Sequence, residues 1–347
     1  MVHTVGVVGA SGYGGVELLR LLAAHPQMQV SVVAAHSQAG TAVHDLFPNL
    51  TDAGAFRPTD VDELAELDLV FLSTPHGPSI ELGAQLTDRG VRTIDLSGGF
   101  RLGAEGFDQW YGEAHPRPDL LPDGDSPRRA VYGLTEFARA DVAGATLVAN
   151  PGCYVITTLL GLVPLASVIV PGSVVVDGKS GVSGAGRGLS DRLHFSHVDG
   201  SVTAYGAPDH RHTGEIERHL DTHGRDLGAI SFTPHLIPIA RGMFVTAYGQ
   251  LESGVDGHDV QDLLGDTYRD EPFVTVLDPG RFPVTKAVAG SNGCQLSALV
   301  DPRTHRVVVT AVTDNLGKGA AGGAIQNANV MLGLEETSGL SAVGVYP

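Results

Sequence analysis

Cys153 lies in the sequence "NPGCY", residues 150–154, and is one of only two cysteines among 347 residues. A buried cysteine is often a small apolar filler, but a cysteine thiolate is also a strong nucleophile. Pro151 and Gly152 predict a turn, and the following "YVITTLLGL" predicts a helix whose positive end stabilises a thiolate. We therefore predict that Cys153 is a nucleophile and that Cys294, at the start of a predicted strand, is structural.

A thiolate nucleophile needs a neighbouring group that transfers protons. The sequence "DHRHTGEIE" places His210, Arg211 and His212 directly before a helix predicted to begin near Thr213. One of the two histidines is suited to acid–base chemistry, and Arg211 is suited to holding an anion. The alternative interpretation is a solvated helix terminus.

Two further segments carry cations beside glycine and serine. The sequence "DGKSGVSGAGRG" contains Lys179 and Arg187, and its free backbone N–H groups favour anion binding over a plain flexible connection. The sequence "DLSGGFR" places Ser97 and Arg101 at the end of a predicted strand, the edge at which open α/β sheets bind ligands.

The sequence "GASGYGG" follows the first predicted strand and precedes the first predicted helix. Gly9, Gly12 and Gly15 permit a tight turn whose N–H groups can hold a pyrophosphate at the helix N-terminus. The second predicted strand ends in "AAHSQAG", without the acidic residue that usually binds a free ribose 2′-hydroxyl. His36 and Ser37 could accommodate a 2′-phosphate, so we predict NADP(H) rather than NAD.

The elements that position these residues follow from hydrophobic periodicity. Up to about residue 150, buried strands alternate with amphipathic helices, which predicts a parallel sheet with crossover helices. Beyond that point, strands such as "GMFVTAYGQL" and "HRVVVTAV" follow one another with few helices between them, which predicts a mixed or antiparallel sheet. The segment "DNLGKGAAGGAIQNANVMLG" predicts a C-terminal helix that stops near Gly333.

The net charge and the amino-acid composition disfavour several classes of function. A net charge of −17 disfavours nucleic acid and anionic membranes as partners, because the field of the protein repels phosphates. The N-terminus has no basic region typical of a signal peptide, and the most apolar stretch is interrupted by Pro164. Two cysteines make neither a disulfide framework nor a zinc motif, so we expect no metal and a cytoplasmic location.

Taken together, the motifs resemble those of the N-acetyl-gamma-glutamyl-phosphate reductase family of arginine biosynthesis, in order over nearly the whole chain. They are "GASGYGG", "STPHG", "DLSGGFRL", "YGLTE", "NPGCY", "KSGVSGAGR", "HRHTGEIE", "FTPHLIPIARG", "GSN" and "DNLGKGAAGGAIQNANVMLG". The resemblance implies an α/β chain with a Rossmann-type parallel-sheet domain and an α+β mixed-sheet catalytic domain of glyceraldehyde-phosphate-dehydrogenase type. The implied ranges are 1–149, completed by a C-terminal helix over 314–347, and 150–313 for the catalytic and oligomerisation domain.

The implied reaction is the NADPH-dependent reduction of N-acetyl-L-glutamyl 5-phosphate to N-acetyl-L-glutamate 5-semialdehyde, with release of phosphate. The family's nucleophile falls on Cys153 and its acid–base histidine on His210; Arg101 and Asn150 would lie near the phosphate. A homodimer or homotetramer is implied, with a small-molecule acyl phosphate as substrate. The alternative is a related acyl-phosphate reductase acting on aspartyl phosphate or a carrier-linked aminoadipyl phosphate.

Besides the two catalytic residues, the prediction includes cofactor-binding residues and substrate-binding residues. The cofactor residues are Gly9, Ser11, Gly12, Tyr13, Gly14, Gly15, His36, Ser37, Ser73, Pro75 and Asn315. The substrate residues are Ser97, Arg101, Asn150, Lys179, Arg187 and Arg211.

The chain departs from the family pattern at a few positions. Val155 stands where proline is frequent, Ala240 where asparagine is frequent, and "AAGGA" where "AAGQA" is usual. His36 stands where arginine is frequent, which leaves the contact with the 2′-phosphate of the cofactor unassigned.

Overall fold

The computed structural model describes residues 2–346, so Met1 and Pro347, the outer ends of the predicted domain ranges, lie outside it. The chain forms two compact units. The first extends to Gly152 and resumes over Ala320–Leu340; the second comprises Cys153–Gly319 and the residues from Ser341 onward.

The first unit contains a six-stranded sheet in which every strand pair is parallel. Its strands are β1 (His3–Val8), β2 (Met28–Ala34), β3 (Leu69–Leu72), β4 (Arg92–Asp95), β5 (Val131–Tyr132) and β6 (Leu147–Ala149). The order across the sheet is β2-β1-β3-β4-β6-β5. The inner strands β3 and β6 are wholly apolar and buried, as expected for a parallel sheet that is covered on both faces.

Six helices of this unit precede the second unit in the chain. They are α1 (Tyr13–Leu22), α2 (Val43–Leu46), α3 (Val61–Leu64), α4 (His76–Asp88), α5 (Ala104–Tyr111) and α6 (Thr135–Gly144). Helix α1 buries Leu18, Leu19 and Leu22 against the same cluster as Val5 and Val7 of β1, and its stripe follows the helical period. The short helix α3 begins at Asp60, whose carboxylate accepts the N–H groups of the first turn.

The second unit contains a mixed seven-stranded sheet. In chain order its elements are α7 (Cys153–Leu162), β7 (Val175–Ser180), α8 (Phe195–Val198), β8 (Thr203–Ala204), α9 (His212–His223), β9 (Ser231–Leu236), β10 (Met243–Gln250), α10 (Gly257–Tyr268), β11 (Val274–Val276), α11 (Thr285–Val288), β12 (Cys294–Asp301) and β13 (Arg306–Thr313). The order across the sheet is β11-β12-β13-β10-β7-β9-β8. Helix α7 packs on β10 and β13, so one face of this sheet is covered by helices.

After β13 a π-helical turn spans Gly317–Ala321 and leads into α12 (Gly322–Met331). Gly333 has a φ of +67°, the left-handed conformation that commonly ends a helix, as its sequence predicted. Asn327 of α12 is buried; its amide donates to the carbonyl of Gly133 at 2.9 Å, and its oxygen accepts from Thr135 Oγ1 at 2.9 Å. These bonds fix α12 against α6 within the first unit.

The predicted fold class, a parallel α/β sheet followed by a mixed sheet, is confirmed. The units are not divided at the predicted residues, because 150–152 belong to the first unit, and 314–319 and 341–346 belong to the second. Asp314 is bonded to Arg241, and the N–H of Asn292 donates to the carbonyl of Ser341 at 2.7 Å, which ties both stretches to that unit. The C-terminal helix also ends at Met331 instead of continuing toward the terminus.

The sequence interpretation missed α5, α6 and α10. Helix α10 has a capping box, in which Asp256 accepts from the first turn and Asp259 accepts the N–H of Asp256. Gly257 and Gly265 weaken its helical pattern, which explains the omission. Among residues 2–346, none of the helices has the length and apolar character needed to cross a bilayer.

Candidate active site

The glycine-rich loop after β1 is shaped by close approaches of backbone to backbone. Gly9 has a φ of +77°, and a Cβ there would overlap the carbonyl of Ser73. A Cβ on Gly15 would overlap the backbone of Gly9, and a Cβ on Gly14 would lie 2.7 Å from Ser73 Oγ. Helix α1 begins directly after Gly12, so the unpaired N–H groups of its first turn lie in the glycine loop. This arrangement fits a dinucleotide pyrophosphate.

The other predicted cofactor residues divide into two groups. Ser11, Tyr13 and Ser73 are half-buried around the glycine loop, and Pro75 precedes the first residue of α4 at the carboxyl edge of the sheet. His36 and Ser37 are exposed in the turn after β2. As cofactor contacts all of these residues remain predictions.

Cys153 is the first residue of α7 and is half-buried, which places its thiol at the N-terminal turn of a ten-residue helix. Its carbonyl accepts a hydrogen bond from Thr157 Oγ1 at 2.9 Å, which stabilises the first turn. Gly319 packs against it so closely that a Cβ on Gly319 would lie 2.9 Å from the Cβ of Cys153. Cys153 is therefore held by α7 and is in contact with the π-helical turn.

Asp314 fixes that turn. Its carboxylate is fully buried and accepts the backbone N–H groups of Gly290, Leu316 and Gly317 at 2.6, 2.8 and 3.0 Å. It also binds the guanidinium of Arg241, with Nε at 2.9 Å. Its backbone carbonyl accepts the N–H of Gly319 at 2.9 Å, so the carboxylate network reaches the residue that packs on Cys153.

Asn315, predicted as a cofactor residue, has a positioning role in this structure. Its amide oxygen accepts the N–H of Gly242 at 2.7 Å, and its amide nitrogen donates to Ser183 Oγ at 2.9 Å. These bonds join the turn after β13 to the loop after β7 and to the start of β10, within one unit.

His210 lies in a group of aromatic rings close to Cys153. Its ring is 5.6 Å from that of Tyr205 and 6.1 Å from that of Tyr154, between ring centroids. Burial raises the pKa of Tyr205, and the charge of Cys153 raises it further, so Tyr205 is close to both predicted catalytic residues. The hydroxyl of Tyr154 donates to the carbonyl of His235 at 2.9 Å, which fixes the Tyr154 ring.

The imidazole of His210 is held in its neutral form with a defined tautomer. Burial lowers the pKa of His210 to about 4; the neighbouring charge of Arg211 lowers it further, and Glu215 raises it. The Nδ1 atom accepts the backbone N–H of His212 at 3.2 Å. A neutral ring that accepts at Nδ1 carries its proton on Nε2, so His210 presents a hydrogen-bond donor.

Three predicted substrate residues of the first unit are built into a buried network. Ser97 Oγ donates to the carboxylate of Asp95 at 2.7 Å, and Arg101 Nη2 donates to the carbonyl of Leu96 at 2.8 Å. Burial raises the pKa of Asp95 despite these donors. Asn150 is also buried and accepts from Asn327 at 3.2 Å. The structure thus gives Ser97, Arg101 and Asn150 positioning roles, and their contact with substrate remains a prediction.

Of the predicted cations in the second unit, Lys179 is not brought to Cys153. A Cβ on Gly178 would lie 2.5 Å from the Tyr154 ring, so Gly178 faces α7. Side chains alternate along a strand, so Lys179 lies on the opposite face, where its Nζ is 2.6 Å from the Asp177 carboxylate. The sequence predicted the loop after β7. It did not predict which face of the sheet each residue of β7 occupies.

Arg187 and Arg211 are exposed, Arg211 directly before α9 and next to His210. The sequence interpretation did not identify Asp314, Tyr205 or Gly319, because their roles depend on contacts between distant segments. Within residues 2–346 the structure holds no group of three or more histidine, cysteine or acidic side chains placed to bind a metal ion.

Two family models match the chain. One is described as "Semialdehyde dehydrogenase, NAD binding domain" and matches residues 4–145; the other is described as "Semialdehyde dehydrogenase, dimerisation domain" and matches residues 153–315. The chain is 47% identical over 350 residues to the N-acetyl-gamma-glutamyl-phosphate reductase of Brevibacillus brevis, which covers 99% of both chains. It is 45% identical to the enzyme of the same name from Geobacillus stearothermophilus, again over 99% of both chains.

Solved structures are similar in fold. Aspartate semialdehyde dehydrogenase II from Vibrio cholerae, complexed with ASA, matches with a TM-score of 0.71 and 17% identity over 96% of this chain and 98% of that one. Aspartate semialdehyde dehydrogenase with NADP from Candida albicans matches with a TM-score of 0.68 and 15% identity over 96% and 99% of the two chains. At these identities the match shows the fold alone.

The contact between Gly319 and Cys153 predicts the effect of a single methyl group. Gly319→Ala forces its Cβ into Cys153, so we expect the free energy of unfolding to fall by about 1–3 kcal/mol, measured by urea denaturation. Gly265→Ala is the matched control, because Gly265 lies in α10 with no atom within 4 Å of a built Cβ. It should leave stability unchanged or raise it by about 0.5–1 kcal/mol. Equal stability of Gly319→Ala and the parent, with unchanged alkylation of Cys153, would contradict the packing.

The burial of His210 predicts its titration. The Cε1–H resonance of His210, assigned by its loss in His210→Asn, should titrate near pH 4 rather than near 6.5. Because folding favours the neutral ring, the unfolded chain takes up a proton first as pH falls from about 6.5. The His210 contribution therefore reduces the stability of the folded state progressively from that pH down to about 4. A midpoint near 6.5 in the folded protein would show that the ring is solvated.

Proposed function

The chain belongs to the N-acetyl-gamma-glutamyl-phosphate reductase family and catalyses NADPH-dependent reduction of N-acetyl-L-glutamyl 5-phosphate to the 5-semialdehyde, and we propose that Cys153 and His210 carry out this chemistry. The reaction is a step of arginine biosynthesis. The observation that carries the assignment is the position of Cys153 at the first turn of α7, beside the ring cluster that contains His210.

The first half of the reaction is acyl transfer to sulfur. The Cys153 thiolate attacks the acyl carbon of the substrate, a C–S bond forms, and the bond from that carbon to the phosphate oxygen breaks. Phosphate leaves and takes up one proton, so a thioester on Cys153 remains. The N-terminal turn of α7 offers backbone N–H groups to the oxyanion that forms during the attack.

In the second half, NADPH, when bound, supplies the hydride that reduces the thioester. The loop with Gly9, Gly12 and Gly15 would hold its pyrophosphate, because the unpaired N–H groups at the N-terminus of α1 follow directly after Gly12. We assign to the Nε2–H of His210 the hydrogen bond to the carbonyl oxygen and to the alkoxide that follows, because its Nδ1 already accepts from His212. Collapse of that alkoxide releases the aldehyde and regenerates the Cys153 thiolate.

An anionic substrate needs positively charged side chains near its phosphate, because the protein as a whole carries a net negative charge. Arg187 and Arg211 are exposed in the second unit. Arg241, which the sequence interpretation did not select, is held by Asp314 yet keeps 28% of its side chain exposed. We assign these three arginines to the anionic groups of the substrate.

We also propose that the uncovered face of the second sheet binds a second copy of the chain. Val175, Tyr248, Val308 and Leu299 are aligned in register across β7, β10, β13 and β12, on the face opposite to α7. Val175, Tyr248 and Leu299 are each at least 36% exposed. An apolar row of this kind is typical of an interface, and the matched family model describes this region as a dimerisation domain.

Removal of the thiol tests the chemical step. With N-acetyl-L-glutamate 5-semialdehyde and phosphate as substrates, Cys153→Ala should reduce NADP at least about 1,000-fold more slowly than the parent. The reason is that no thioester can form. Cys294→Ala should keep parental activity, since Cys294 is buried at the start of β12. Parental turnover by Cys153→Ala would reject the mechanism.

The same assay tests the substrate. The parent should prefer N-acetyl-L-glutamate 5-semialdehyde over aspartate semialdehyde and over a carrier-linked aminoadipate semialdehyde, and NADP over NAD. Preference for another semialdehyde would reject the substrate assignment and leave the Cys153 chemistry in place.

A single charge tests the interface. Tyr248→Glu places a carboxylate in the centre of the apolar row, so we expect a smaller assembly than the parent by light scattering after size exclusion. Phe282→Glu changes a more exposed aromatic residue (56% against 37% for Tyr248) in the loop before α11, and its mass should equal that of the parent. An unchanged mass for Tyr248→Glu would place the interface elsewhere.

A further inference from the structure

We propose that Arg57 binds the 2′-phosphate of NADP(H), and that it is the residue through which this chain distinguishes NADP from NAD. The inference rests on the cofactor preference stated above and assigns the contact that His36, a histidine rather than a permanently charged arginine, leaves open.

Arg57 lies at the carboxyl end of β2 although it is distant from that strand in the sequence. Its N–H donates to the carbonyl of Val33 at 2.9 Å, and its carbonyl accepts the N–H of Ala35 at 3.0 Å. This pairing adds the segment at Arg57 to the sheet as a parallel neighbour of β2. The turn with His36 and Ser37 begins directly after the paired residues.

The same end of β2 is attached to the glycine loop on its other side. The N–H of Ala10, in that loop, donates to the carbonyl of Ala34 at 3.0 Å. Arg57 and the glycine loop are therefore two strand spacings apart, about 10 Å, with the end of β2 between them. A dinucleotide whose pyrophosphate lies at the glycine loop places its adenosine ribose over the end of β2. Arg57 is thus on the side of the ribose away from the pyrophosphate.

No other lysine or arginine competes for this role in the surrounding sequence, since Arg57 is the only one between Arg20 and Arg89. Arg20 lies in the last turn of α1 and Arg89 follows the last residue of α4. A crossover helix returns to the amino edge of a parallel sheet, so Arg20 lies at the edge opposite to Arg57. The guanidinium of Arg89 is bound by Asp62, the neighbour of Glu63 in α3, and the backbone of Arg89 is not paired with β2. Anionic groups at the carboxyl ends of β1, β2 and β3 therefore have one permanent cation within this stretch.

The guanidinium of Arg57 is oriented without being removed from solvent. Its Nη1 is 2.7 Å from the carboxylate of Glu63, and the two side chains are 52% and 33% exposed. An exposed ion pair of this kind contributes little to stability. A phosphate with two charges is a stronger partner, so the pair positions the arginine and still permits exchange to the ligand.

The test uses calorimetry of the full chain with 2′,5′-ADP and with 5′-AMP, which differ in the 2′-phosphate and need no turnover. Arg57→Gln should weaken 2′,5′-ADP binding by about 10- to 100-fold and leave 5′-AMP binding within about twofold. Arg57→Lys keeps the charge and should give an intermediate loss. Arg89→Gln is the matched control, because Arg89 forms a similar ion pair at 2.7 Å with Asp62, the neighbour of Glu63 in α3. It should bind both ligands like the parent.

Each other result has a defined meaning. Parental affinity of Arg57→Gln for 2′,5′-ADP would overturn the assignment while the cofactor preference stands. Equal losses for both ligands would also overturn it, since the arginine would then support the adenosine site and not the phosphate. A parent that binds the two ligands equally would instead reject the NADP preference on which the inference rests.

Discussion

The buried carboxylate of Asp314 holds together the surroundings of the nucleophile. It accepts three backbone N–H groups and the guanidinium of Arg241, so its charge is fully compensated. An unpaired carboxylate at this depth would be several kcal/mol too costly to bury, so the turn and the arginine must be placed together. The π-helical turn set in this way brings Gly319 against Cys153. The stability of the turn and the packing around Cys153 are thus linked through Asp314.

His210 and Cys153 are prepared in opposite electrostatic senses. The thiol lies at the positive end of a helix, which stabilises its anion. The imidazole is buried beside Arg211, and both conditions disfavour its cation. Helix α7 therefore favours an anion on Cys153, whereas burial and Arg211 favour a neutral donor at His210. This division suits acyl transfer, because an Nε2–H group can stabilise an oxyanion without neutralising the nucleophile.

Local signals predicted the parts of the site that depend on neighbouring residues. The glycine loop before α1 and the position of Cys153 at the start of α7 both follow from short sequences. The phase of β7 could not be predicted, because glycine and serine in "DGKSG" hide the alternation that would show which face Lys179 occupies. Arg57 was missed for another reason: its neighbour in the sheet, Ala34, is distant in the sequence, and its pairing with β2 is only an isolated bridge.

Several of the 46 glycines permit segments that are distant in the sequence to pack closely within each unit. Gly178 permits the Tyr154 ring to lie on the sheet, and Gly319 permits a turn to lie on Cys153. Gly9 permits the backbone of Ser73 to lie against the glycine loop. At each of these places a side chain would occupy the position of a neighbouring group, so the glycine is needed for packing rather than for mobility. At these three positions glycine is therefore the signature of close contact.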